Sequence, residues 1–316
     1  MRRLWLTAGL LAAVQGALCV HAQQSQPPMP ASQLVREVVY NELRDHERHG
    51  YWQFQVQRRI QQQTRLEDQV ETAQGPIARL ALSNGQPLSP EAEQEERARL
   101  RRLLASPAEQ AKHLRAYQED EGRIGRILAM LPDAFLYEYD GDENGCHRLR
   151  FRPNPAYSAY TIEARVFHAM GGTLWVDARM KRLVRLDAQV EETLDFGYGI
   201  LGRLYKGGWF QLQRTQVSPT DWKTDRIEVH LNGRALFIKT FARETSEVRT
   251  GFLPVRAGMS LAQGMALIEE SQAHTEAQTP IQIPAAEKTA LIAPAALALR
   301  RQAANPPIAG HHDSRR

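Results

Sequence analysis

The chain has 316 residues, 42% of them hydrophobic, which is enough for one large domain or two small ones. Its 40 basic and 36 acidic side chains leave a net charge of +4 and are interspersed, which indicates a solvated surface rather than a phosphate-binding patch for nucleic acid. Only two cysteines are present, and loss of Cys19 with an export signal would leave Cys146 alone, excluding an intramolecular disulfide and a cysteine-rich zinc site.

The N-terminal residues follow the pattern of a secretory signal peptide. A positively charged start precedes an apolar stretch at 4–18 that is short for a membrane span, and small residues mark a cleavage site after Ala22. We therefore expect residues 1–22 to be removed on export and residues 23–32 to form a linker. Lipid attachment at Cys19 is the alternative, although the leucine before it is a poor match for the small residue that this modification requires.

Three stretches carry helical patterns. Residues 33–48 place aliphatic side chains along one stripe. Residues 90–105 and 107–131 each follow a serine and begin with a proline, the combination that favours a helix start, and the second stretch is predicted to end before Pro132. The sequence therefore predicts an N-terminal helix and a helical insertion over residues 89–131.

Alternating apolar and polar residues predict antiparallel strands over most of the remaining chain. Asn144-Gly145 and Asn232-Gly233 are predicted hairpin turns, and Gly171-Gly172 is predicted to join two further strands. Because one face of these strands is apolar and the other charged, the predicted fold class is α+β, with a large curved antiparallel sheet (an unclosed β-barrel) and helices packed on its concave side. The predicted strands lie at 51–59, within 65–83 (two strands), and at 135–140, 146–152, 160–168, 173–177, 183–190, 209–217, 226–231 and 235–245.

A glycine-rich segment contains Gly197, Gly199 and Gly202 in the G-x-G-x-x-G spacing of a dinucleotide-binding loop. That function needs a crossover helix and a parallel strand after the last glycine, and the sequence leaves room for neither. We expect an apolar loop folded inward over one mouth of the sheet, either as a buried corner or as a mobile flap over an apolar cavity. The candidate cavity residues are Phe196, Tyr198, Ile200, Leu201, Leu204 and Tyr205, together with Trp52 and Phe54 of the first predicted strand.

No catalytic signature is evident. The motifs G-x-S-x-G and H-E-x-x-H are both absent. Asp140, Asp142 and Glu143 lie at a predicted hairpin tip and indicate a solvated turn, while Cys146 and His147 are neighbours in a strand and would point to opposite faces. The sequence therefore predicts no catalytic, cofactor-binding or metal-ligating residue.

The C-terminal region, 251–316, changes in composition. Ser260 and Gln263 form a capping-box pair at the start of a short helix predicted over 260–271. From Thr275 onward the chain is rich in alanine, proline and glutamine and lacks aromatic residues, which is typical of a disordered tail.

The export signal, the N-terminal helix and four segments occur together in a recognisable order. The segments are YWQFQVQRR at 51–59, GGTLWVDARMKRLVRLDAQ at 171–189, DFGYGILGRLYKGGWFQLQ at 195–213 and DRIEVHLNGRALFIKTF at 225–241. In their order and in the pattern of their predicted strands, these segments resemble the LolA-like superfamily of periplasmic lipoprotein-sorting and lipid carriers. Residues 33–250 are accordingly predicted to form a LolA-like α+β domain.

The resemblance implies an unclosed β-barrel with helices as a lid and an apolar cavity that shelters acyl chains. The expected function is then non-enzymatic binding of a lipid or a lipidated protein in the periplasm of a Gram-negative bacterium, in the service of transport toward the outer membrane. The expected partners are acyl chains and an envelope protein, with no cofactor, no nucleic acid and no transmembrane segment after signal cleavage. The alternative is a periplasmic sensor or scaffold that binds a protein partner, with residues 90–131 as the docking surface.

Overall fold

A computed structural model describes residues 29–48, 50–196, 202–235 and 239–276. The predicted signal peptide, most of the linker, part of the glycine-rich loop and the C-terminal tail lie outside the described residues. Residues 269–276, at the end of the last helix, belong to a second unit and are described only as helical.

The described residues form one large antiparallel sheet of 13 strands with five helices, and the sheet is curved and does not close into a barrel. The predicted α+β fold class is confirmed. The main strand order is β4-β3-β2-β1-β13-β12-β11-β8-β7-β6-β5, while β9 and β10 form a side hairpin on β12. The elements are α1 (Ala31–Arg48), β1 (Tyr51–Ile60), β2 (Gln63–Val70), β3 (Ile77–Ser83), β4 (Gln86–Pro87), α2 (Pro90–Ala105), α3 (Pro107–Ala134), β5 (Phe135–Glu143), β6 (Cys146–Pro153), α4 (Ile162–Phe167), β7 (Met170–Asp177), β8 (Leu183–Val190), β9 (Leu194–Phe196), β10 (Gly202–Leu204), β11 (Trp209–Gln216), β12 (Trp222–Ala235), β13 (Lys239–Val255) and α5 (Leu261–Glu276).

The starts of α2 and α3 follow directly from their sequence. The side chain of Ser89 accepts a hydrogen bond from the backbone nitrogen of Ala92 at 3.2 Å, and that of Ser106 accepts one from Glu109 at 3.3 Å. Each serine therefore satisfies one of the free N–H groups at a helix start, and the proline that follows it loses nothing there.

Three local predictions assigned the wrong kind of structure. Residues 160–168 contain the helix α4 rather than a strand, because the Thr161 hydroxyl caps its first turn at 3.1 Å from the nitrogen of Ala164. Asn232-Gly233 is not a turn: β12 continues through it, paired with β13. Gly171-Gly172 lies inside β7 rather than between strands, since Gly172 faces Ala188 of β8.

Helix α3 connects the two outer regions of the sheet. Its N-terminal half lies against the β2–β3 turn, where a Cβ atom on Gly75 would come within 3.1 Å of the Tyr117 side chain. Its C-terminal end passes directly into the edge strand β5, and it continues two residues beyond Pro132, where the prediction had ended it. With 28 residues it is about 42 Å long, and it runs from the β2–β3 turn to β5, near opposite ends of the strand order.

Helix α2 lies along the outer side of β3. The backbone nitrogen of Leu80 donates to the Glu96 carboxylate at 2.9 Å, and Arg99 donates to the carbonyl oxygen of Ala78 at 2.7 Å. Side chains of the helix thus satisfy peptide groups of β3 that no strand pairs with among the described residues.

The largest apolar cluster lies between α1 and strands β5–β8. It contains Leu34, Val35, Val38 and Val39 of α1 together with Phe135, Leu149, Phe151, Leu174, Val176, Leu183 and Ala188. A second cluster joins α2 and the start of α5 to β2 and β3, through Val70, Ile77, Leu100, Met259, Leu261, Met265 and Ile268. The sheet is therefore covered by helices at both ends.

Candidate binding surface

The antiparallel register allows the helix-facing side chains to be followed from strand to strand. Directly paired residues point to the same side of a sheet, so each set of paired positions forms a row across it. We define the first row as Arg58, Glu247, Ile227, Leu212, Leu186, Leu174 and Leu149. We define the second row as Ile60, Thr245, Val229, Phe210, Ala188, Gly172 and Phe151.

Both rows change character along their length. At the β6 end they are buried beneath α1, where Leu149 is 0% exposed and Phe151 is 4% exposed. Both rows remain apolar through β8, β11 and β12, but most of these side chains, including Ile227 and Val229, are only half-buried. Leu186, Phe210 and Leu212 pack against the cluster beneath α1, whereas Ile227 and Val229 belong to none of the apolar clusters of the described residues. The apolar strip therefore extends beyond that cluster only at β12.

Gly172 allows the second row to pack tightly. A Cβ atom at this position would collide with the carbonyl oxygen of Asp187 and lie 2.9 Å from the ring of Phe151. The Phe151 ring thus occupies the space that a side chain at position 172 would need, and only glycine fits there.

The first row ends in a network of charges on β13 and β1. Glu247 accepts hydrogen bonds from Arg58 at 3.0 Å and from Arg249 at 2.8 Å, and Arg58 also contacts Glu67 at 3.4 Å. Burial raises the pKa of the Glu247 carboxyl, but the nearby charges and hydrogen bonds of Arg249 and Arg58 outweigh it, so the net pKa is lowered. The guanidinium of Arg249 also lies 5.8 Å from the ring centre of Phe54.

The second row ends differently. Thr245 is paired with Val229 on one side and Ile60 on the other. Its hydroxyl oxygen is buried and has no hydrogen-bond partner among the described residues. Most buried hydroxyls are hydrogen-bonded, so this atom is an unused polar group at the end of an apolar strip.

A buried ion cluster fixes α1 over the sheet beside this strip. The Glu42 carboxylate accepts hydrogen bonds from Arg182 at 3.0 Å and 3.1 Å and from the backbone nitrogen of Leu183 at 3.0 Å, and it also pairs with Arg214 of β11. The side chain of Glu42 is only 5% exposed. The cluster therefore ties one helix to two strands, β8 being reached through Leu183.

In the glycine-rich segment, β9 and β10 pair with each other, and β10 pairs alongside the end of β12, where Leu204 lies opposite Gly233. Phe196 and Leu204 belong to an apolar cluster with Ala169, Val190 and Leu231, and Leu204 is 7% exposed. The backbone nitrogen of Tyr205 donates to the carbonyl oxygen of Asn232 at 2.9 Å.

The other predicted cavity residues do not join this hairpin. Tyr198, Ile200 and Leu201 lie outside the described residues. Trp52 and Phe54 pack into a separate cluster with Val56 and are 4% and 2% exposed.

The two groups are separated along β13. Trp52 pairs with position 254 of β13, and Leu204 pairs with Gly233 of β12, which in turn pairs with position 241 of β13. Positions 241 and 254 are about 40 Å apart along that strand. Among the described residues, Trp52 and Phe54 therefore lie apart from Phe196, Leu204 and Tyr205.

Sequence reasoning missed the polar end of the strip and part of its apolar centre. The alternation of Ile227, Val229 and Leu231 signals a half-covered strand, so these residues could have been identified from the pattern. The meeting of Arg58 with Glu247 could not, because it depends on pairing between positions 189 residues apart.

The hairpin tip of β5 and β6 is a network of paired charges. Asp140 contacts both Arg148 and Arg150 at 3.1 Å, and Asp142 lies 2.7 Å from the Nδ1 atom of His147. Burial, followed by the charges of Asp177 and Glu143, raises the pKa of the Cys146 thiol, which disfavours the reactive thiolate. Within the described ranges, no group of three or more histidine, cysteine or acidic side chains is arranged to hold a metal ion.

No helix in the described part of the chain combines the length and apolar character needed to cross a membrane. In comparisons with known proteins, the chain matches no protein-family model and no curated protein.

Proposed function

We propose that the protein is an exported, non-catalytic binding protein that holds a lipid acyl chain, or the acyl chain of a lipidated protein, on the helix-facing side of its central strands. The observation that supports this proposal is the half-buried apolar strip that continues through Leu186, Phe210, Leu212, Ile227 and Val229. The resemblance of the sequence to periplasmic lipid carriers points to the same function, with the periplasm as the compartment.

The energetics favour an elongated apolar ligand. Each methylene group removed from water contributes about 0.8 kcal/mol, so an acyl chain binds mainly through the apolar area it covers. The apolar strip crosses several strands, and neighbouring strands lie about 4.8 Å apart. An acyl chain could therefore lie across the sheet along the strip. Few polar contacts are required, which accords with the absence of a catalytic motif from the sequence.

The alternative is a sensor or scaffold that binds a protein partner through the helices. Tyr40 and Leu43 of α1 are 56% and 38% exposed, and Ile124 of α3 is 51% exposed. Leu43 lies close to Gly125 of α3, so these side chains occur near the junction of the two helices. They would form the docking patch in that case.

The proposal is tested with one substitution on each face of the sheet. Val229→Asp places a charge on the apolar strip, whereas Val248→Asp places the same charge on the opposite face of the neighbouring strand. Both valines are half-buried, so the two variants are matched in chemistry and exposure.

We expect native mass spectrometry and organic extraction of purified wild-type protein to recover bound lipid, and titration with an uncharged fluorescent acyl-chain probe to show uptake. Val229→Asp should abolish lipid recovery and uptake, and Val248→Asp should retain both. Absence of lipid and of uptake in the wild type would refute the carrier function. Loss of a bound protein partner on substitution of the exposed Tyr40 or Ile124 would then favour the scaffold function.

A further inference from the structure

The polar end of the apolar strip indicates which kind of lipid the surface accepts. In the first row, Ile227 is followed by Glu247 and Arg58, and in the second row, Val229 is followed by Thr245. A ligand lying along the second row from Thr245 to Ala188 crosses three strand spacings, or about 14 Å. One end of such a ligand meets polar groups, while the other approaches the buried cluster beneath α1.

The charges at this end are already balanced. Arg58 and Arg249 face Glu247 and Glu67, and Glu247 contacts both arginines while remaining only 12% exposed. An anionic headgroup would compete with Glu247 for the arginines and would place a second negative charge beside a poorly solvated carboxylate. The charge pattern therefore disfavours a free fatty acid or a phosphate headgroup.

Thr245 offers what an uncharged headgroup needs. A threonine hydroxyl can donate one hydrogen bond and accept two, and this hydroxyl uses none of them among the described residues. The oxygen is closed off from solvent among the described residues, so a ligand amide or hydroxyl would reach it by displacing the side chains that cover it. It would then satisfy the hydroxyl without placing a second charge beside the neighbouring ion pairs. Leaving it unsatisfied costs free energy, so its pairing would add to the affinity.

We propose that the surface selects acyl chains with an uncharged hydrogen-bonding headgroup, such as an amide or a hydroxyl, which lies against Thr245 while the chain extends toward α1. This inference rests on the proposed acyl-chain binding and adds the class of headgroup.

The test compares oleamide with oleate, which share the same chain and differ only in the headgroup. At about pH 8 the carboxylate of oleate is ionised while oleamide is neutral. We expect the delipidated wild-type protein to bind oleamide roughly tenfold more tightly than oleate in displacement of a fluorescent acyl probe. Equal affinities, or tighter binding of oleate, would overturn the inference and leave acyl-chain binding intact. Failure to bind either compound would instead overturn the proposed function.

Two variants and one control assign the preference to residues. Thr245→Val keeps the shape but removes the hydroxyl, and should weaken oleamide binding about fivefold while oleate binding stays unchanged. Thr250→Val, at an exposed position on the opposite face of the same strand, should change neither affinity. Glu247→Gln removes the competing carboxylate and should narrow or reverse the preference for oleamide. An unchanged preference in both Thr245→Val and Glu247→Gln would contradict the assignment.

Discussion

The two halves of the helix-facing surface are built from the same sequence pattern but differ in what covers them. On β6 and β7 the apolar positions Leu149 and Leu174 are buried beneath α1. On β12 the equivalent positions in the same rows, Ile227 and Val229, are only half-buried. Strand alternation therefore indicates which face is apolar, whereas helix placement determines how completely that face is buried.

The largest expected effect concerns the ion cluster that holds α1 on the covered half. Glu42→Ala should lower the free energy of unfolding by about 3–5 kcal/mol, because Arg182 and Arg214 would both lose their contact with a buried carboxylate. Glu37, on the same helix as Glu42, pairs with Lys181, but the side chains of both partners are 35% exposed. Glu37→Ala should therefore cost at most about 1 kcal/mol. Urea denaturation of both variants checks the difference, and equal losses would show that the cluster does not fix the helix.

A smaller effect should distinguish the two ends of the apolar part of the first row. Leu149→Ala removes a fully buried side chain and should lower the free energy of unfolding by about 2–5 kcal/mol. Ile227→Ala removes a half-buried one and should cost no more than about 1.5 kcal/mol in delipidated protein. Thermal and chemical denaturation provide the measurement. A cost at Ile227 as large as that at Leu149 would mean that the protein's own side chains fill the strip.

The smallest effect is a pH dependence at the open half. The folded-state pKa of Glu247 is lowered, so its ion pairs should stabilise the protein above the ordinary glutamate pKa of about 4.3 and lose their effect as pH falls through the lower folded value. Glu247→Gln should be less stable than the wild type at neutral pH, by about 1 kcal/mol after solvent screening of the half-exposed arginines. The difference should shrink below about pH 4. A difference independent of pH would indicate lost packing instead of lost charge.

The fold class was accessible from the sequence because its signals are local. The serine–proline starts of α2 and α3 and the alternation of β8 and β12 act within a few residues, and all of them predicted the right elements. The strand prediction for residues 160–168 failed because alternation over only three positions is a weak signal. The Thr161 hydroxyl instead accepts a hydrogen bond from the backbone nitrogen of Ala164 and caps a short helix.

The candidate site was harder to predict because it depends on long-range pairing. Grouping Trp52 and Phe54 with the glycine-rich segment rested on their aromatic and apolar character, whereas the pairing of β1 with β13 places them in a different cluster. The approach of Arg58 to Glu247, and the position of Thr245 beside Val229, follow from that same pairing. Register over such separations is set by the whole sheet and cannot be derived from residue spacing.

The position of α2 has a consequence for self-association. An outermost strand with free peptide groups can template the addition of a strand from another molecule, which leads toward fibrils or exchanged dimers. Strand β3 forms such an edge at Ala78 and Leu80 because, among the described residues, the short β4 pairs only with Leu82 and Ser83. The peptide groups of Ala78 and Leu80 are engaged by Arg99 and Glu96. An incoming strand would have to displace helix α2 to extend the sheet. Arg99 and Glu96 therefore protect this edge of the sheet from pairing with another molecule.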